Sequence, residues 1–104
     1  AVGAAAIEGI ENIHADLFFM GVTGIHPEAG LTTGDFEEAC IKRAFSGRAA
    51  ETVVLASPEK INTASSFVIG DVSLANTLVV EDDTDRGWVH TLSEKGVSVV
   101  LASS

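Results

Sequence analysis

The chain has 104 residues, 46% of them hydrophobic, and its 6 basic and 15 acidic residues leave a formal charge of −9. This length fits one compact domain or part of a larger one, and apolar residues spread along the whole chain argue against disorder. The negative charge disfavours binding to DNA phosphates or to an anionic membrane, and no apolar run approaches the roughly 20 residues that span a bilayer.

The cysteine and histidine content further limits the classes of protein to which this chain can belong. Cys40 is the only cysteine, so no internal disulfide can form and a cytoplasmic location is the default. His14, His26 and His90 do not have the spacing of metal ligands, and we predict no metal and no cofactor. The chain begins without an initiator methionine or a signal peptide, so we expect it to be part of a longer protein.

Four short runs predict β-strands, at 17–22, 52–56, 77–80 and 97–102. They are continuously apolar rather than alternating, which is typical of parallel strands covered on both faces by helices. The run 67–69 is compatible with either a short edge strand or a loop. The fold class predicted is α/β, an open, mostly parallel and Rossmann-like sheet with flanking helices.

Helical spacing occurs in three segments between these strands. Residues 6–13 repeat apolar side chains at intervals of three and four, at Ala6, Ile7, Ile10 and Ile13. The segment 35–49 aligns an apolar stripe, which consists of Phe36, Cys40 and Ala44. A last helix is predicted from Asp83 or Thr84 to Gly96, with Trp88 in the core.

Ligands of open α/β sheets bind beyond the carboxyl ends of the strands, and the connection after the first strand is unusually long. It extends over 21–34 and contains four glycines, whereas typical connections of this kind have about two to six residues. The helix that follows offers free N–H groups to an anion, so a phosphate is one interpretation. The alternative is that the glycines only make turns.

Two further positions allow both a structural and a functional interpretation. Glu38 and Lys42 have the spacing of a solvated helical ion pair, and Asp35 with Glu38 resembles a capping box. The same two side chains could hold a hydroxylated, phosphorylated ligand. Lys60, after the second strand, is either an exposed lysine beside Glu59 or a point charge for a phosphate.

The order of several motifs resembles the C-terminal half of DeoR-type sensor domains. The matching stretches are 2–3, 15–25, 30–32, 38–44, 53–56 with Lys60, and 76–80. The match departs at Ser57, where family members usually carry Asp. The resemblance implies a ribose-phosphate-isomerase-like fold that binds a phosphorylated sugar or related metabolite. Binding would change the affinity of a repressor for DNA, and the metabolite would not be chemically converted.

The resemblance also implies which residues form the effector site: Gly21, Thr23, Gly24, His26, Gly30, Thr32, Glu38, Lys42 and Lys60. It places DNA binding in an N-terminal winged helix-turn-helix domain that this chain does not contain. Two alternatives stay open: a sugar-phosphate isomerase of the same fold, with Glu38 as general base, and an oligomerisation module. We expect a homo-oligomer in either case.

Overall fold

The computed structural model describes residues 15–103, which form two β-sheets and two helices. The strands are β1 (Ala15–Gly21), β2 (Gly24–His26), β3 (Gly30–Thr33), β4 (Ala49–Leu55), β5 (Phe67–Gly70), β6 (Thr77–Glu81) and β7 (Ser98–Ala102). The helices are α1 (Phe36–Arg48) and α2 (Arg86–Glu94), and short 3₁₀ helices cover Pro58–Lys60 and Val72–Leu74.

The larger sheet contains the four strands that the sequence predicted. Its order is β1-β4-β6-β7, and all three pairings are parallel. Each apolar run therefore became a strand, with ends shifted by up to three residues. This confirms the predicted α/β class with an open, mostly parallel sheet.

All described connections between these strands lie on one face of the sheet. Each connection leads to the next strand in the order, always in the same direction across the sheet. Because crossovers between parallel strands are right-handed, connections that run in one direction lie on the same face of the sheet. The Phe45 ring of α1 stacks on Phe18 at 5.3 Å, and the hydroxyls of Ser46 and Thr52 are 2.7 Å apart. The helix predicted at 6–13 lies outside the described residues, and within 15–103 the opposite face is uncovered.

The predicted long loop at 21–34 is a β-hairpin, so that expectation was wrong. β2 and β3 are antiparallel and pair through Ile25 and Leu31, and β5 extends them to a second, three-stranded sheet. Gly30 begins β3 with φ +89°, a conformation that favours glycine. The ambiguous run at 67–69 is strand β5, at the edge of this sheet.

The apolar stripe predicted for α1 was also wrong. Phe36 is 61% exposed and Cys40 is only partly buried, whereas the buried residues are Ala39 and Ser46. Small side chains face the sheet because α1 lies close to it and to β5, where Arg43 donates to two backbone carbonyls. Packing against two sheets therefore decided which side of this weakly amphipathic helix is buried.

Helix α2 begins at Arg86, later than the sequence predicted. Its N-cap is Asp85, whose carboxylate accepts from the N–H of Trp88, rather than Asp83 or Thr84. Trp88 is buried as predicted, and Gly96 follows the helix with φ +91°. Asp83, Thr84 and Asp85 are all suitable N-cap residues, so the sequence did not show which of them precedes the helix.

Candidate functional site

The carboxyl ends of the parallel strands form one edge of the larger sheet. Gly21 at the end of β1 pairs with Leu55 at the end of β4, so the segments that follow them start side by side. An isolated parallel bridge joins Ile25 to Ile61, directly after Lys60. The connections that follow β1 and β4 therefore meet at this edge.

Lys42 is anchored at the end of β1. Its Nζ donates to the Gly21 carbonyl at 2.6 Å and lies 2.9 Å from Oε1 of Glu38. The Lys42 side chain is 20% exposed and that of Glu38 is 49% exposed. Because an ammonium has three N–H donors and these contacts use two, one donor remains for a ligand.

The position of Glu38 and Lys42 follows from the start of α1. The Asp35 carboxylate accepts from the N–H groups of Glu37 and Glu38, which fixes the first turn. Lys42 lies one turn further along the same side, which brings its long side chain back to β1. The predicted N-cap and ion pair are both confirmed.

Open space lies beside two of the glycines, Gly21 and Gly34. A Cβ added to Gly21 or to Gly34 would meet no heavy atom within 4 Å. The exposed Thr23 lies nearby in sequence, and its hydroxyl is 2.6 Å from that of Ser65. Because Gly21 lies on the same side of β1 as Phe19, its open space is on the face of the sheet opposite α1.

Gly24, Gly30 and Thr32 instead form tight contacts within the smaller sheet. A Cβ on Gly24 would come within 2.7 Å of the Thr63 carbonyl, and one on Gly30 would collide with the Gly70 carbonyl. The buried Thr32 hydroxyl donates to the Gly24 carbonyl at 3.1 Å and accepts from the Ser65 N–H at 2.8 Å. These contacts agree with the interpretation that the glycines serve the turns of the chain.

His26 lies at the turn between β2 and β3. Its Nδ1 accepts from the backbone N–H groups of Glu28 at 3.0 Å and Ala29 at 3.2 Å. A neutral imidazole with Nδ1 as acceptor carries its proton on Nε2. His26 therefore stabilises the turn and keeps one N–H donor for other contacts.

Lys60 ends the 3₁₀ helix that follows β4. Among residues 15–103 its ammonium forms no ion pair or hydrogen bond. The Ser57 hydroxyl donates to Oε1 of Glu59 at 2.7 Å, and this bond is the main reason that the pKa of Glu59 is lowered. The Lys60 charge contributes less to the same shift, so Lys60 is a cation with little local neutralisation.

A shallow, open hollow of about 400 Å³ lies further along the same edge, on the face of the sheet that carries Leu55 and Val79. Its walls come from the ends of three strands: Leu55, Ala56 and Ser57 after β4, Val79, Val80 and Glu81 of β6, and Ala102 of β7. None of the nine residues in the sequence-based site lines it. Glu81 was not among the predicted site residues because only the connections after the first two strands were considered, although it directly follows the third run. Ser57 follows the second run, and its hydroxyl was not assigned to the site.

Two kinds of feature are absent from residues 15–103. No group of three or more His, Cys, Asp or Glu side chains there could hold a metal ion. No helix there is long and apolar enough to cross a membrane. His90, on the surface of α2, lies 3.5 Å from Glu94 and is 74% exposed.

The fold and this edge define an α/β domain of the kind that binds small molecules beyond the ends of parallel strands. Comparison with known protein families identifies the family of this chain. Residues 1–82 match the model of the DeoR C terminal sensor domain, and the chain belongs to that family.

Three curated relatives are similar to this chain. It is 35% identical over 79 residues to the uncharacterized HTH-type transcriptional regulator FruR of Bacillus subtilis, covering 73% of this chain and 32% of FruR. It is 30% identical to the HTH-type transcriptional regulator GolR of Listeria innocua, covering 89% and 37%. It is 24% identical to the glycerol-3-phosphate regulon repressor of Haemophilus influenzae, covering 98% and 40%. The chain thus spans well under half of each relative's length.

Proposed function

We propose that this chain is the effector-sensing segment of a DNA-binding transcriptional repressor of sugar metabolism. It binds a phosphorylated sugar or related metabolite at the carboxyl edge of the parallel sheet and does not turn it over. DNA contact belongs to a separate helix-turn-helix domain, and the whole regulator acts as a cytoplasmic homo-oligomer. The observation that carries this proposal is Lys42, held at the end of β1 with a donor to spare.

Phosphate recognition rests on two lysines and the hydroxyl of Thr23. Lys42 is partly buried and fixed by Gly21 and Glu38, so little side-chain freedom is lost when it binds an anion. Lys60 supplies a second positive charge from the neighbouring connection. The exposed Thr23, two residues after Gly21, adds a hydroxyl that can contact the ester group.

The remaining predicted residues shape the site rather than contact the effector. Gly24, Gly30 and Thr32 hold the hairpin between β1 and α1 in one conformation. His26 fixes its turn and offers Nε2 at the surface. A rigid hairpin keeps the end of β1 and the start of α1 at a constant separation.

The hollow beyond β4, β6 and β7 suits the sugar part of the effector. Ser57 and Glu81 give it a hydroxyl and a carboxylate, and Leu55 with Val79 gives it an apolar side. Carboxylates and hydroxyls are acceptors for sugar hydroxyl groups. Ser57 lies three residues before Lys60, so one connection contributes to both parts of the site.

Calorimetric titration of the chain tests this assignment. The probes are fructose 6-phosphate, ribose 5-phosphate and glycerol 3-phosphate, each with its unphosphorylated counterpart, and inorganic phosphate. We expect at least one ester to bind and its counterpart to bind much more weakly. Lys42→Ala should weaken that ester about tenfold to a hundredfold, since a charge-assisted hydrogen bond is worth about 1.5 to 3 kcal/mol.

Lys95→Ala is the matched control, because Lys95 is exposed and precedes β7 at the opposite edge of the sheet. Its affinity should equal that of the unaltered chain. If none of the three esters binds, or if both variants bind equally well, the site at Lys42 is wrong. Conversion of ribose 5-phosphate during the titration, followed by NMR, would instead favour the isomerase.

A further inference from the structure

The edge strand β7 differs from the other strands that end a sheet within residues 15–103, which are β1, β2 and β5. β1 contains the charged Asp16, the short β2 is joined to Ile61 by a bridge, and Arg43 donates to two carbonyls of β5. Charges and covering side chains limit the pairing of an edge strand with other chains. β7 contains neither a charged residue nor a proline, and its Val100 and Leu101 are 46% and 38% exposed.

The backbone of β7 has unpaired groups on its outer side. The Ser98 N–H donates to a carbonyl just before β6, and the Ala102 carbonyl accepts from an N–H just after β6, both at 3.0 Å. These two residues therefore direct their backbone groups toward β6. Because the direction of N–H and C=O alternates along a strand, those of Val99 and Leu101 point away from the sheet. No strand within residues 15–103 lies on that side.

We propose that β7 pairs antiparallel with β7 of a second copy of this chain, around a two-fold axis at Val100. In this register Val99 of each copy lies opposite Leu101 of the other, and each of the two pairs exchanges two N–H···O=C bonds. Only outward backbone groups are used, so no bond to β6 is broken. The two four-stranded sheets join into one continuous sheet. This contact specifies the homo-oligomer of the proposed function and does not depend on the effector site.

The distribution of charge favours a second copy in this orientation. The chain has a formal charge of −9, so two copies associate best through a surface without acidic groups, and residues 97–103 contain no charged side chain. The exposed Lys95 precedes β7, and the exposed Asp82 and Asp83 follow β6 beside the carboxyl end of β7. Antiparallel pairing brings the Lys95 end of one copy next to the acidic end of the other. Parallel pairing would place like charges together.

The side chains of β7 fit the same axis. Val100 lies opposite Val100 of the second copy in a non-hydrogen-bonded pair, with the two Cα atoms about 4.5 Å apart. Because this side chain is half exposed in a single copy, pairing removes apolar surface from water. Contact along one short strand buries less than a standard interface of about 1,600 Å², so we expect a reversible dimer.

Sedimentation velocity of the full chain tests the pairing. Between about 1 and 300 µM the unaltered chain should pass reversibly from monomer to dimer. Val100→Lys places two ammonium groups opposite each other on the axis and should weaken the dimer at least about tenfold. Leu17→Lys is the matched control, because Leu17 is 45% exposed on the same face of the sheet, in the strand at the other edge. It should dimerise like the unaltered chain.

Disulfide trapping tests the register and decides the question if Val100→Lys does not fold. In a Cys40→Ser background, Val100→Cys should form a disulfide between two copies after mild oxidation, because bridging requires Cα atoms within about 7 Å. Leu101→Cys should give much less, since its two copies are displaced by two residues, about 7 Å, along the strands. Non-reducing electrophoresis measures both yields, and thermal unfolding confirms that both variants fold like the background.

Each outcome supports the proposal or overturns it. A chain that stays monomeric up to about 300 µM rules out the dimer. Equal weakening by Leu17→Lys would assign association to the open face of the sheet instead of its edge. An oligomer unchanged by Val100→Lys would retain the proposed homo-oligomer but exclude β7 from its interface. Trapping of Leu101→Cys as efficient as that of Val100→Cys, or no trapping of Val100→Cys, would contradict the two-fold axis at Val100.

Discussion

Glycines serve two different purposes on the two sides of the hairpin that follows β1. In the smaller sheet, Gly24 and Gly30 lie against the backbone of Thr63 and Gly70, with no room for a methyl group. Gly21 at the end of β1 and Gly34 just before α1 instead face open space. The sequence alone makes these four positions look alike, within one segment of 14 residues (21–34).

The contrast between packed and open glycines distinguishes the rigid hairpin from the accessible parts of the chain. Residues that are fixed by close backbone contacts and buried hydrogen bonds keep the hairpin rigid. Residues with free space around them, Gly21 and Gly34, stay accessible from outside the domain. A binding edge of this kind needs both: accessible backbone for the ligand and a rigid neighbour that keeps the geometry constant.

The largest expected difference lies between two alanine substitutions. Gly30→Ala places a Cβ against the Gly70 carbonyl at φ +89°, so it should cost about 3 kcal/mol or more of unfolding free energy. Gly34→Ala adds a methyl group in open space and should stay within about 0.5 kcal/mol. Urea unfolding followed by circular dichroism measures both values.

In this comparison Gly34→Ala serves as the matched control for the loss of backbone freedom. Thermal unfolding should show a decrease of more than about 10 °C for Gly30→Ala alone. Equal stability of the two variants would mean that the hairpin is not packed against β5 as described, and the distinction between the two regions would be lost.

An intermediate effect is expected at the hydroxyl that joins the hairpin to the Ser65 segment. Thr32→Val keeps the side-chain shape but leaves the Gly24 carbonyl and the Ser65 N–H without their partner. Because the bond to the Gly24 carbonyl is buried and the bond from the Ser65 N–H is partly buried, the loss should be about 1 to 3 kcal/mol. The exposed Thr23, changed to Val, should lose less than half of that amount in the same urea experiment.

The smallest effect is expected in the open region, at the ion pair of Glu38 and Lys42. The Glu38 carboxylate is half exposed, so its coupling to Lys42 should be only about 0.5 kcal/mol. A double-mutant cycle with Glu38→Gln and Lys42→Met measures it. The coupling should decrease further in 1 M salt, where the Debye length is about 3 Å. A coupling of several kcal/mol would show that the pair belongs to the scaffold.

Much of the larger sheet could be predicted from local sequence. Continuous apolar runs identified β1, β4, β6 and β7, and the absence of alternation in these runs predicted their parallel pairing. The Asp35 cap and the ion pair of Glu38 with Lys42 also depend on neighbours within one or two helical turns. These features are local, which is why sequence patterns report them.

The smaller sheet was not predictable in the same way. β2 has three residues and β3 has four, and neither shows a clear alternation of apolar and polar side chains. They are stabilised by β5, which lies more than 30 residues further along the chain. The buried side of α1 was mistaken for the same reason, since Arg43 and Ala39 face elements that the sequence of the helix cannot specify.

The sequence by itself determined the fold class, four of the seven described strands, and the location of candidate residues after strand ends. These depend on the period of apolar side chains and on capping chemistry, both of which act over a few residues. Only the tertiary structure showed which glycines pack against other backbone and which face open space. It also showed that the Lys42 ammonium donates to the Gly21 carbonyl. Those distinctions depend on the close approach of segments distant in sequence, and on the free volume that their packing leaves.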